Sequence, residues 1–523
     1  MKYTVGIDDM ALYVPKLYLP IETLAKARNL EYAKLNKGLG LTRMVVPDVH
    51  EDAATMAANA VHQIIERNQL RPQDIGRIYL GTESALDGAK PTATYVLEMS
   101  RRKYRDEYGV SCFENCDVVD LTFACVGGVD ALQNTLDWVR GAEGRVGIVV
   151  TSDFAKYELE SGGEYTQGAG AVAMLVKHQP RLLAISGTFG VATRGVHDFY
   201  KPRRTFSKEK LVREVLNLAG MTEIDAAEIL AKLPDSLQVN GVLDENDETL
   251  ELHKETPIFD GQYSNWTYQN RIREAYLNFC KNAIQTSEAT NNEDVLNAWE
   301  RLVFHLPYAF HGKRIASEIF MLSLKNQNKW AAFAENLPPE PVQANYTDNA
   351  QYEKDRVGFL RAITKTDEYR AFVNEKLEKA QRASSLVGNM YACSIFLALM
   401  STLESDLQDN SDLTGKRLGL LGYGSGSKSK VFEAVIQPGW KSVVSQFKVF
   451  DTLKNGHSLD YATYEKLHRK QLNESVLSPS GEFVLERIGE EGVRLGARYY
   501  KWVAAQGVRK ETAHSRVPEL VEA

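Results

Sequence analysis

Three side chains in this sequence stand where reaction chemistry could begin: Cys125 in VDLTFACVGG, Glu83 in YLGTESALDGAKPTA and His305 in RLVFHLPYAFHGKR. A cysteine forms and breaks thioesters, a carboxylate drawn partly out of water exchanges protons near neutrality, and an imidazole polarises a carbonyl. After Cys125 the apolar residues Val126, Val129, Leu132, Leu136 and Val139 recur at three- and four-residue steps, the pattern of a helix with one buried face. Cys125 is thus expected near a helix N-terminus, where unpaired N–H groups and the positive dipole end favour a thiolate. Gly127 and Gly128 there would let another backbone or a ligand approach closely. Each residue also has a plainer reading. Free cysteine is commonly a small buried hydrophobe, most loop glutamates are solvated, and a lone histidine is more often structural.

Three small-residue loops add polar groups: GEYTQGAGAVAML (163–175), GNMYACS (388–394) and GYGSGS (422–427). Their glycines could turn backbone amides toward an oxyanion, with Thr166, Asn389, Ser425 and Gly426 fixing a substrate's polar atoms. Tight turns account for most loops of this composition. The basic pair Lys313 and Arg314 lies eight and nine residues past His305.

These groups need a scaffold. DIGRIYLGTES (74–84), GRVGIVVTSDFA (144–155) and KRLGLLGYGSGS (416–427) each read as a short buried strand running into a small-residue loop. Helical patterns lie between them, including EDAATMAANAVHQIIERNQL and GNMYACSIFLALMSTLESDL, so the fold class is α/β layers. The strand and turn at 416–427 echo the strand, turn and helix around Cys125, which points to an internal duplication. Two charged, mainly helical stretches, 203–256 and 325–380, interrupt the rhythm as surface insertions.

With 523 residues, 44% hydrophobic and 25% charged, the chain can bury a large core. A net charge of −7 argues against a nucleic-acid surface, so any phosphate would be held by a local basic patch. The five cysteines, Cys112, Cys116, Cys125, Cys280 and Cys393, are odd in number and show no paired CxxC spacing, which disfavours both a disulfide framework and a zinc site. Asp8, Asp9 and Lys16 interrupt the apolar N-terminus, and no run of about eighteen apolar residues occurs, so a cytoplasmic protein with no membrane partner is expected.

Taken in order, GTES, TFACVGG, SGGEYTQGAGAVAML, FHLPYAFHGK, GNMYACSIFLALMSTLE and GYGSGS resemble the hydroxymethylglutaryl-CoA synthase family of the thiolase superfamily, from the N-terminus to about residue 440. The resemblance implies a five-layered αβαβα fold from two related halves, 1–185 and 186–523, usually as a homodimer. It also implies Cys125 as the acyl acceptor, Glu83 as general acid and base, and His305 as the group that orients the acetoacetyl thioester. Thr166, Asn389 and Ser425 match acyl-contacting positions. The expected activity joins acetyl-CoA to acetoacetyl-CoA to give 3-hydroxy-3-methylglutaryl-CoA, an isoprenoid precursor, with CoA thioesters as substrates, no cofactor and no metal. Phe310 replaces the family's lysine five residues after the histidine, leaving Lys313 and Arg314 as candidates for the CoA phosphates. HDFYKP (197–202) resembles a family segment but is separated from FDGQYS (259–264) by the first insertion. A β-branching relative acting on an acyl carrier protein is the alternative within the family. A decarboxylating ketoacyl synthase and a non-catalytic scaffold are the more distant readings.

Overall fold

The computed structural model describes residues 4–232, 249–286 and 294–505. Its centre is a nine-stranded mixed sheet. The strands are β1 (Val5–Tyr13), β2 (Ile75–Gly81), β3 (Asp117–Leu121), β4 (Val146–Ala155), β5 (Gly168–His178), β6 (Leu183–Thr193), β7 (Trp299–Phe304), β8 (Arg417–Gly424) and β9 (Lys428–Ile436). Across the sheet they lie in the order β7-β8-β9-β6-β1-β5-β4-β2-β3. The long strands are near-continuous apolar runs because helices cover both faces.

Two helices pack on the outer side of the N-terminal strands: α1 (Ala53–Asn68), started by an Asp52–Thr55 capping box, and α2 (Thr92–Tyr108). The central layer holds α3 (Gly127–Arg140) against β2 and β4, and α6 (Ser394–Gln408) against β7 and β8. Thirteen residues of α6 are buried, as a helix enclosed on nearly every side requires. The outer layer of the C-terminal half is α4 (Gly261–Gln285) on β6 and β9, with α5 (His311–Asn326) packed beside it. The five predicted apolar residues after Cys125 are all fully buried.

The duplication is legible in the strand senses. β1 meets β5 antiparallel, β5 meets β4 antiparallel, and β4 meets β2 parallel. β6, β9, β8 and β7 repeat those three relations in turn. A short antiparallel pairing of Gly6 and Ile7 with Ala184 and Leu183 joins the two sets. This corrects one equivalence: β8, the strand of 416–427, matches β4, whereas the strand before Cys125, β3, has no partner in the second set. The backbone repeats too, since Ala124 before α3 and Tyr391 before α6 both take positive φ, 39° and 44°. Non-glycine residues held there cost energy that the surrounding packing must cover.

The insertions fit less uniformly. The first is bounded by an antiparallel ladder of Arg203–Ser207 with Thr249–His253, so its base is a hairpin rather than helix; two helices, Lys208–Leu218 and Ala226–Leu230, follow the first strand. The second is helical throughout its main elements, Asn349–Ile363, Asp367–Lys376 and Glu378–Val387. Glu482–Ile488 and Arg498–Val503 form a hairpin whose Phe483 exchanges backbone hydrogen bonds with the Asn59 side chain of α1. Among the described residues no helix is long and apolar enough to cross a membrane.

Candidate active site

Cys125 lies two residues before α3, and Glu83 two residues past the end of β2. The glycines of the helix start serve backbone packing: a Cβ on Gly81 would lie 2.4 Å from the Gly128 Cα, and one on Gly128 would lie 2.4 Å from Thr151. The close helix–strand contact brings the two functional groups together. The Cys125 thiol donates to Glu83 Oε1 at 3.0 Å, and both side chains are buried.

The electrostatics differ from the dipole expectation. Burial pushes the Cys125 thiol well above its usual range, and the adjacent Glu83 carboxylate pushes it further. A helix N-terminus contributes at most about 2 kcal/mol, less than desolvation of a buried charge costs. The resting sulfur is therefore a thiol beside its base, which corrects the reading of Cys125 as a dipole-stabilised thiolate. Glu83 is itself raised by burial, while Lys201 opposes that shift. Lys201 Nζ stands 3.7 Å from Glu83 Oε2 and donates to the Glu83 carbonyl at 3.1 Å.

Asp153, at the end of β4, ties this arrangement to the other half. Its Oδ1 accepts from the Glu83 amide and Thr82 Oγ1, both at 2.9 Å, and its Oδ2 accepts from the Ala392 amide at 2.9 Å. Burial, with the Glu83 charge added, raises its carboxyl to about 7.

His305 follows β7 directly, the position that corresponds to the loop of Glu83 in the repeat. It is 1% exposed, and burial alone lowers its pKa to about 3, so the ring is neutral. Its carbonyl accepts from Tyr268 Oη at 2.6 Å, while its Nδ1 has no protein partner. Tyr268 stacks on Tyr423 at 4.2 Å, and the Tyr423 hydroxyl donates to Asp198 at 2.7 Å.

Cys125, His305, Thr166, Asn389 and Ser425 converge on one cavity of about 260 Å³, with Arg314 also in its wall. Thr166 is held by its donation to the Gly163 carbonyl at 2.8 Å, and Asn389 Oδ1 takes the Tyr391 amide and Ser394 Oγ. Two expected contacts fall elsewhere. Gly426 lies outside the lining; its amide donates to Asp198 at 2.7 Å and its φ of 97° shapes the turn that presents Ser425. Lys313 Nζ rests over the Phe310 ring at 3.2 Å, outside the cavity. Arg314 donates to Tyr308 Oη and the Gly38 carbonyl, which places it at the exposed rim.

The residues that sequence reasoning missed come mainly from the two segments thought to be parted by the first insertion. Phe199 and Tyr200 pair antiparallel with Phe259 and Ile258, so HDFYKP and FDGQYS are neighbours and the insertion loops out from their join. Phe199, Phe259, Tyr157 and Tyr391 wall the sulfur with aromatic rings. The only advance signal was the likeness of HDFYKP to a family segment. Among the described residues one trio, His50, Glu51 and Glu482, has metal-ligand spacing. Its carboxylates already accept hydrogen bonds from Tyr13 and Lys16, and it lies outside the cavity of Cys125.

Sequence models of the N-terminal and C-terminal parts of hydroxymethylglutaryl-coenzyme A synthase match residues 1–180 and 249–475. The chain belongs to this family. Hydroxymethylglutaryl-CoA synthase of Haloferax volcanii is 28% identical, over 96% of this chain and 99% of that protein. The Schizosaccharomyces pombe enzyme is 26% identical, over 93% and 94%. Among solved structures, MvaS in complex with 3-hydroxy-3-methylglutaryl coenzyme A superposes with a TM-score of 0.71 at 25% identity, covering 96% of this chain and all of that one. The Curacin biosynthetic pathway HMG synthase in complex with apo donor-ACP shares the fold, with a TM-score of 0.65 at 21% identity and the same coverage. As in other hydroxymethylglutaryl-CoA synthases the fold is thiolase-like, and most of the first insertion falls between the two matched stretches while the second lies inside one.

Proposed function

We propose that this protein is an acyltransferase that condenses acetyl-CoA with acetoacetyl-CoA, releasing 3-hydroxy-3-methylglutaryl-CoA and CoA. The observation that carries this reading is the buried Cys125 thiol donating to Glu83 beside a cavity that a neutral His305 also lines. Glu83 takes the thiol proton as the sulfur attacks the acetyl thioester; the departing CoA sulfur takes that proton, leaving acetyl-Cys125. Glu83, again a carboxylate, removes a proton from the acetyl methyl group. The carbanion adds to the ketone carbon of acetoacetyl-CoA, and the proton on Glu83 passes to the new alkoxide. Water then cleaves the enzyme thioester, giving a free carboxylate, the Cys125 thiol and one proton released to solvent. Each of these steps uses only this chain, its thioester substrates and water, with no call on a metal or redox cofactor.

Thr166, Asn389 and Ser425 suit the acyl group, and Arg314 at the rim suits the CoA phosphates. A cytoplasmic homodimer goes with this reading: β3 is a half-exposed edge strand whose free ladder positions suit pairing with a second copy. Purified protein given acetyl-CoA and acetoacetyl-CoA should release CoA and the condensed product. A carrier-bound acceptor turned over faster than the CoA thioester would move the assignment to β-branching of carrier-bound chains.

A further inference from the structure

The mechanism above leaves a buried imidazole in the cavity wall without a task. His311, the first residue of α5, is 2% exposed and lines the cavity of Cys125, yet neither ring nitrogen has a hydrogen-bond partner. A buried polar group left unpaired carries a desolvation cost, so its presence in the wall needs a reason. The ring is fixed in place by aromatic neighbours. Tyr268 stacks on it at 4.7 Å and 29°, and Tyr308 stands perpendicular to it at 4.7 Å. Tyr268 also neighbours the His305 ring, at 6.1 Å, so one tyrosine carries both imidazoles.

We propose that His311 is a second acceptor-binding imidazole, which donates its N–H to one carbonyl oxygen of a β-ketoacyl thioester while His305 serves the other. This rests on the reading of the protein as a hydroxymethylglutaryl-CoA synthase and adds a specificity residue to it. A β-ketoacyl thioester presents two carbonyl groups separated by one methylene carbon, and each neutral imidazole carries one N–H. Burial holds both rings neutral, His311 well below its usual range, so each keeps one donor and one acceptor rather than a charge. Tyr308 itself lines the cavity and is tied to the rim by Arg314, so the wall beside His311 is anchored.

The test separates the half-reactions. In His311→Phe, acetylation of Cys125 by acetyl-CoA, followed by intact mass, should stay within about twofold of the parent, while KM for acetoacetyl-CoA rises about tenfold, the worth of one hydrogen bond. His311→Asn, which keeps a donor, should recover part of that loss. Unchanged acceptor KM in His311→Phe, or equal losses in both half-reactions with Asn no better than Phe, would overturn the proposal; should the Phe variant fail to fold, the parent-to-Asn-to-Leu series carries the same comparison. Direct calorimetric binding of acetoacetyl-CoA to parent and variant keeps this separate from the proposed function. A parent that binds the acceptor without turnover defeats the synthase reading, and the binding ratio still decides His311. A parent that binds no acetoacetyl-CoA defeats both.

Discussion

The two halves of the molecule repeat one strand pattern and carry opposite chemistry. In the N-terminal half, the loop after β2 and the start of α3 supply ionisable partners, Glu83 and Cys125. In the C-terminal half, the corresponding loop after β7 supplies His305, and the residue that follows the strained backbone before α6 is Ala392, where the first half has Cys125. Burial acts on both halves by disfavouring charge. It raises Glu83 and Asp153, making better bases at neutral pH, and it lowers His305 to about 3, making a neutral hydrogen-bonding group. What separates them is one cation. Lys201 opposes the shift of Glu83, whereas nothing charged opposes the shift of His305. The scaffold was repeated; the charge was not.

This division predicts how variants fail. Cys125→Ala should abolish the acetyl adduct and lower turnover by at least about 10⁴-fold, and normal turnover without an adduct would remove the nucleophile assignment. Glu83→Gln should lose about 10²–10⁴-fold, and lose it in both half-reactions, because the same carboxylate deprotonates the thiol and later the methyl group. His305→Gln should cost about 10²–10³-fold in condensation while acetyl-Cys125 still forms at close to the parent rate. Equal damage to acetylation by His305→Gln would break the contrast between the halves. With its pKa near 3, His305 should also add no limb to the pH–rate profile between pH 5 and 8, whereas an inflection that His305→Gln removes would show the ring titrating there.

How much of this was legible beforehand follows from which forces are local. The period of apolar residues after Cys125 gives α3, because a buried helix face is written into one stretch of chain. The order of motifs gave the family, and with it the convergence of Cys125, Glu83 and His305, which no spacing along the chain contains. The protonation state of the sulfur was misjudged for a definite reason: the helix dipole is a local effect, whereas desolvation and the Glu83 charge arise from residues that only the fold brings near. The join of Phe199 with Phe259 was hidden by the long excursion between them, and with it the place of Lys201. Gly426 was read as a contact when its amide serves Asp198, a partner more than two hundred residues away.

The finest test of the contrast is therefore the lysine. Lys201 comes from the C-terminal half, after β6, and reaches Glu83 in the other. Its positive charge favours the ionised carboxylate, and acetylation of Cys125 needs that carboxylate as base. Removing the charge in Lys201→Met should raise the Glu83 pKa further, so the acidic limb of the acetylation rate moves to higher pH by about one unit and the rate on the acidic side of that limb falls about tenfold. Lys201→Arg should leave the limb close to its parent position, because a charge remains. The sign is diagnostic: loss of a merely structural contact would lower the rate at every pH without moving the limb. A limb that stayed still in Lys201→Met would mean that Glu83 keeps its ionisation by other means, and the asymmetry between the halves would then need a source other than this one ion pair.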